Sequence, residues 1–465
     1  MHLKGVRAVF PRIIAECFRL RYAYTVAIAT MLFLSVSEAR AVECDCIRCS
    51  GGVSCRRLSC CDCESSCHSA FCQKERLFDS SLRESMESRG IAFDGDFIGN
   101  FLGNPSGGRR QRFRSAWRST FGLTFDLEKR RGIEGARFRV SGAWTDGQNL
   151  GTDVETIFNP AEIFGLRGWR FWELYWGQKL CDDQLDVIIG RHSPGEVFTV
   201  QPPVWDYVNL GFYPMTLMYN DFGYRTRPIG MWGVSGRLDP HQSPLYLIGG
   251  VFSGAPRDLQ RTTANGLDFT IDLNESTFAM FEIGYKRNQS QGAAGLPGTY
   301  RFGVAYNSAR FDSLSDPNVS KRSNFNFYFS GEQTLSREPC SQTQGLDAFG
   351  QVAFPGDEEI NVLTFFATGG LVYTGLIEGR DADRTYCGVA YAEITDAIVS
   401  LTVEAFQGPA IVPNQPYETV IEVGHVIQAT PFWAITPAAQ YIVNPGLTDD
   451  VDDAFVLGLQ TVVTF

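Results

Sequence analysis

The chain has 465 residues, a formal net charge of −11 and a pI of about 5.1, with 44% apolar residues, 35 Phe and 47 Gly against 7 Met. An acidic balance of this size excludes a surface of clustered Lys and Arg for phosphate, and with it nucleic acid as a partner. Abundant Phe and Gly with few helix formers favour strands, and no apolar run reaches the roughly 18 residues that a transmembrane helix needs.

Residues 1–41 read as a secretory signal peptide. Lys4, Arg7, Arg12, Arg19 and Arg21 precede the apolar run TVAIATMLFLSV (25–36), and Ala39-Arg40-Ala41 supplies a small-x-small site, with cleavage expected before Val42. Six basic and two acidic residues leave with this segment, so a whole-chain charge of −11 becomes −15 for the mature chain. Residues 42–76 hold nine of the 13 cysteines, between Cys44 and Cys72. In an exported chain this favours a disulfide framework over a metal site, since His68 is the single histidine nearby. Nine is odd, which leaves at least one thiol free, bound to a metal or bonded to another chain in the periplasm. Glu43 is not the small residue that lipid attachment at Cys44 requires. Residues 77–90 predict a short lead-in helix, capped by Asp79 or Ser80 and ended by Gly90.

From residue 91 the pattern has a period of two. FGLTFDLEKR sets Phe121, Leu123, Phe125 and Leu127 against Gly122, Thr124, Asp126 and Glu128; RFRVSGAW sets Phe138, Val140, Gly142 and Trp144 against Arg137, Arg139, Ser141 and Ala143. FAMFEIGYKR, YRFGVAYN and SNFNFYFS repeat it, each with one aromatic or aliphatic face and one small, polar or charged face. Tandem soluble sandwiches would need linkers, and no Pro- or Ser-rich linker appears between 91 and 465. The expectation is therefore an all-β fold: a transmembrane antiparallel β-barrel of about 16 strands over 91–465, in the outer membrane and in contact with its lipid.

The chain closes on FVLGLQTVVTF (455–465), an alternating strand whose last residue, Phe465, is aromatic, a signal of the kind read by outer-membrane barrel-assembly machinery. Working backward from a periplasmic Phe465, connections alternate: NPGLTDDVDD long, Thr430-Pro431 short, PAIVPNQPY long, Thr395-Asp396 short, LIEGRDADR long, PGDEEI fairly short, SREPCSQTQ long. This count places Cys340 and Cys387 at the outer side near consecutive long loops, where a disulfide between them is conceivable.

Five blocks carry a family resemblance: SRGIAFDGDFIGNFLGNPSGG (88–108), GARFRVSGAWTDGQNL (135–150), FWELYWGQKLCDDQLDVIIGR (171–191), GLVYTGLIEGRDADRTYCGVAYAEITD (370–396) and YETVIEVGHVIQATPFWAITPAAQYIVNPG (417–446). Together they resemble the carbohydrate-selective porins of the OprB type over about residues 80–465. The resemblance implies a sixteen-stranded barrel passing sugars such as glucose by passive diffusion through a constricted lumen. Residues 42–76 have no counterpart in the pattern, and His425 stands on an outward face where an aromatic is more usual.

Sugar selectivity needs polar groups that replace water around hydroxyls and an aromatic face for C–H groups, with binding kept weak. Candidates on the inferred inner faces are Arg137, Arg139, Glu282, Lys286, Arg301 and Glu422, with Asp126 as a further acid. Trp205 and Tyr207 lie in QPPVWDYVNLGFYPM, whose prolines forbid a regular strand and suit a loop folded into the barrel. Trp172 and Trp176 read as girdle residues at the lipid interface. Five scattered histidines and the absence of G-x-S-x-G, H-E-x-x-H or P-loop motifs offer nothing to catalysis, a metal or a cofactor. Two readings compete with a sugar-selective porin: a general porin, and a structural barrel crosslinked through its cysteines.

Overall fold

In the computed structural model the described residues run from 76 to 465, apart from 79, 164–166, 214–221, 223, 255–264, 268, 270, 272–275, 291–292, 317, 340, 397–402, 405–409 and 412. The expected signal peptide, the Cys-rich segment and Cys340 lie outside them. The lead-in helix spans Ser81–Ser88, capped by Ser80, whose hydroxyl accepts from the Arg83 amide.

The barrel strands are β1 (Ile91–Ser106), β2 (Phe113–Asp126), β3 (Ala136–Gly147), β4 (Gly168–Leu180), β5 (Leu185–His192), β6 (Met231–Leu238), β7 (Leu245–Ser253), β8 (Thr277–Arg287), β9 (Gly298–Asp312), β10 (Ser320–Arg337), β11 (Gly345–Pro355), β12 (Leu363–Thr374) and β13 (Arg384–Ile394). A small ribbon of β14 (Val403–Glu404) and β15 (Ala410–Ile411) stands apart, and β16 (Tyr417–Thr430), β17 (Trp433–Val443) and β18 (Ala454–Thr464) complete the wall. Each strand pairs antiparallel with its neighbours, and β18 returns to β1, closing sixteen strands with no free edge.

The polarity of this barrel is inverted relative to a soluble sheet. Phe281, Phe329 and Leu457 are exposed on the outside, while Glu282, Asn326, Gln440 and Gln460 are buried inside. Only a hydrocarbon surround makes that exchange favourable, because apolar side chains then lose no water contact that they would avoid and the closed ladder satisfies every strand.

Phe465 sits at the seam. Its amide donates to the Gly95 carbonyl at 3.0 Å, and its ring packs against Phe78, Phe93 and Phe121. Gly95 leaves room for that ring: a Cβ there would stand 2.5 Å from the Thr120 carbonyl and 2.7 Å from the ring.

One expectation fails here. The backward count implied a barrel strand between Asp396 and Pro409, but β13 pairs directly with β16, Arg384 opposite Val426. Following the rim from Thr464 through Trp433, Thr430, Arg384, Thr374 and Gly345 leads to Arg337, so the connections 338–344 and 375–383 lie at the end that carries Phe465. Cys387, near the start of β13, therefore belongs to that end and not to the outer side, and its exposed thiol has no disulfide partner among the described residues.

Candidate functional site: the barrel lumen

The connection 193–230 between β5 and β6 turns into the barrel. Pro194, Pro202 and Pro203 cannot donate to a ladder, and the stretch forms short 3-10 turns at Pro194–Glu196, Pro202–Asp206 and Leu210–Phe212. The buried amides of Thr199, Val208 and Asn209 need acceptors. Inward glutamates of the wall supply them.

Glu282 on β8 accepts from the Thr199 amide at 2.9 Å and from the hydroxyls of Tyr246 and Tyr328 at 3.0 and 2.7 Å. Glu422 on β16 accepts from the amides of Val208 and Asn209, both at 2.8 Å, and from the Tyr386 hydroxyl at 2.9 Å. The two sets share one local design. Tyr246 faces Gly284 across the ladder and Tyr386 faces Gly424, so each ring lies over a glycine to reach the glutamate two residues before it. A Cβ at either glycine would overlap the ring. Glu418 accepts from the amides of Ile157 and Phe158 in the connection after β3 and from the amide of Gly446 in the connection between β17 and β18.

Among the sequence candidates, Glu282 and Glu422 are thus occupied by the loop, and Glu422 is wholly covered by it rather than presented to solute. Tyr207 is also fully buried, stacked 4.2 Å from Phe212 and 4.4 Å from Tyr386, with its hydroxyl donating to the Cys387 carbonyl. Trp205 is 40% exposed, its ring edge-on to Tyr213 at 5.3 Å.

The loop bonds to the inward faces of β8, β10–β13, β16 and β17, and meets β1 through Arg227 and β4 through Ser193, while a set of paired charges lines the wall from β1 to β5. Arg137 makes a two-pronged pair with Asp186, both bonds 2.9 Å. Arg139 bridges Asp94 and Glu173, each at 2.7 Å, and Arg227 of the loop bridges Asp96 at 3.3 Å and Glu196 at 3.1 Å. Arg118 meets Glu162 at 3.5 Å. Burial pushes the Glu162 carboxyl up, against the pull of Arg118 and Arg227. Arg301 pairs with Glu332 at 2.5 and 2.7 Å, and Lys286 with Asp239.

Trp172 corrects its girdle assignment. β4 carries an extra residue there, because Ser141 pairs with Glu173 while Gly142 pairs with Phe171. The bulge turns the indole inward, where its N–H donates to the Ser193 hydroxyl at 2.7 Å and Arg227 lies 5.1 Å from the ring centre. Trp176, beyond the bulge, keeps the outward face. Sequence reading missed Asp94, Asp96, Glu173, Glu196 and Arg227; the Glu-x-Gly repeat in FEIGY and IEVGH is the signal that marks the loop anchors.

A closed sixteen-strand barrel, apolar outside and narrowed by an infolded loop, is a porin architecture, and residues 110–465 match the family described as Carbohydrate-selective porin, OprB family. The chain belongs to that family. As a member of the OprB family it is an outer-membrane β-barrel sugar porin. Porin B of Pseudomonas aeruginosa is 26% identical over 376 residues, 73% of this chain and 79% of the relative. The high-pH structure of Pseudomonas putida OprB superposes with a TM-score of 0.75 at 25% identity, over 83% of this chain and 96% of that one. The low-pH structure of Pseudomonas putida OprB aligns at 18% identity with a TM-score of 0.54, over 84% of this chain and 99% of that one, and supports the fold.

Proposed function

We propose that sugars such as glucose cross by passive diffusion through the gap between the β1–β4 wall and the infolded loop. The observation that carries this is the paired-charge lining. Arg137 with Asp186, Arg139 with Asp94 and Glu173, and Arg227 with Asp96 and Glu196 place donors beside acceptors. A neutral sugar hydroxyl is both donor and acceptor, so it can exchange with water along such a surface. A single ion meets each charge already answered by its opposite. Trp205, the exposed ring of the loop, offers a face to the C–H side of a pyranose. Nothing is consumed; the solute gradient drives the flow.

Single-channel recording in a planar bilayer, titrated with glucose, maltose and a non-sugar of similar size, tests the reading. Stepwise currents reduced by the sugars and not by the control are expected. Currents indifferent to all three would leave a general porin, and no channels at all would favour the structural barrel.

A further inference from the structure

The lumen contains a second polar recess, next along the wall from the first set of charges, since Arg237 of the recess faces Asp186 across the β5–β6 ladder. A cavity of about 370 Å³ is lined by Val197, Val200 and Pro202 of the loop and, from the wall, by Arg237, Tyr246, Lys286, Arg301 and Glu332 among others. Its size falls in the range of pockets that hold small ligands, about 300–1,000 Å³. Arg237 and Lys286 lie near the ends of β6 and β8, Tyr246 and Arg301 near the starts of β7 and β9, and Glu332 toward the end of β10, so the recess lies in the half of the barrel that carries Phe465.

We propose that this recess is an additional binding site for neutral mono- or disaccharides at the short-turn mouth, the end that carries Phe465, beside the gap along β1–β4. The inference rests on the sugar-porin reading and deepens it. Three cations meet three carboxylates: Arg301 is paired with Glu332, Arg237 and Lys286 share Asp239, and Glu282 on the cavity wall supplies the third. The guanidinium of Arg237 lies 4.0 Å from the Tyr246 ring centre, which holds it flat against the wall. With its charge balanced, the site has no net attraction for an ion, yet it keeps a dense set of charged hydrogen-bonding groups that suit hydroxyls. Val197, Val200 and Pro202 form the apolar ledge that a sugar ring needs for its C–H face. Glu196, one residue before the ledge, points instead to Arg227, so adjacent loop residues serve the two sites separately.

The site predicts asymmetric block. Glucose is added to one side of the bilayer at a time, and the association rate for current block is read from the noise. In the double variant Arg301→Met with Glu332→Leu, which removes both charges together, the rate from the short-turn side is expected to fall about fivefold, the worth of roughly one lost hydrogen bond. Val200→Trp, which fills the recess without touching a charge, is expected to do the same. The rate from the long-loop side should move less than twofold in both. Unchanged short-turn rates in both variants, with wild-type block intact, overturn the second site. Absence of block in the wild type from either side overturns the sugar reading itself. Gel migration with and without heating verifies that each variant is folded, and the two variants damage the recess in different ways.

Discussion

Glu422 receives three buried donors whose acceptor, among the described residues, is this carboxylate: the amides of Val208 and Asn209 and the Tyr386 hydroxyl. Truncation by Glu422→Ala leaves each unmet, at about 1–3 kcal/mol apiece. The expected outcome is a lower urea midpoint for refolded protein and an open-channel current with larger fluctuations, both measurable on one preparation. Gly424→Ala acts on the same anchor from behind, because the new methyl displaces the Tyr386 ring, and a loss of about 1–3 kcal/mol is expected in the same urea titration. The inward position of Glu422 is legible from the alternation of IEVGH alone. Its partners are not, since Val208 lies 214 residues earlier and no local pattern links them. For Trp172 even the facing was hidden. A bulge changes which side a residue takes, and nothing in RGWRFWELYWGQ marks the extra residue. Trp172→Phe removes the bond to Ser193 while keeping an aromatic under Arg227. A weaker glucose block, about two- to fivefold, is the expected result for the loss of one neutral hydrogen bond that positions the guanidinium.

At the scale of elements, the seam between β1 and β18 is where closure is sealed. Gly95→Ala places a methyl between the Thr120 carbonyl and the Phe465 ring, with backbone on one side that cannot yield. A reduced yield of heat-modifiable barrel on refolding is expected, checked by gel migration of unboiled samples; a yield equal to wild type would show that the seam tolerates the shift. The strands themselves were largely readable, because lipid outside and a polar lumen inside impose the same alternation on all of them. What failed was parity. Residues beyond Asp396 have enough apolar content to pass for a strand, and one strand too many in a backward count reverses the side of every connection before it. The short-and-long rule for loops gave no warning, since GLIEGRDAD at the Phe465 end is no shorter than PGDEEI at the other. Pairing between β13 and β16 settles it through contacts that the sequence does not announce.

Across the molecule, the inward charges of Arg137, Arg139, Arg227 and Arg301 are, among the described residues, each held against a carboxylate. Raising ionic strength from about 0.1 to 1 M shortens the screening length from about 10 to 3 Å. Contacts of 2.5–3.5 Å leave no room for screening ions between the partners and the solute is neutral, so the glucose block constant should change by less than twofold across this range. A steep salt dependence measured in the same bilayer titration would mean that unpaired field, not paired donors and acceptors, governs entry. The infolded loop also has a mechanical reading. It is fastened at Thr199 to Glu282 on β8 and again at Val208 and Asn209 to Glu422 on β16, with the 3-10 turn Pro202–Asp206 between the two fastenings. A span clamped at both ends is far stiffer than one held at a single end, so the width of the passage is set by the rigid wall rather than by the loop's own thermal bending.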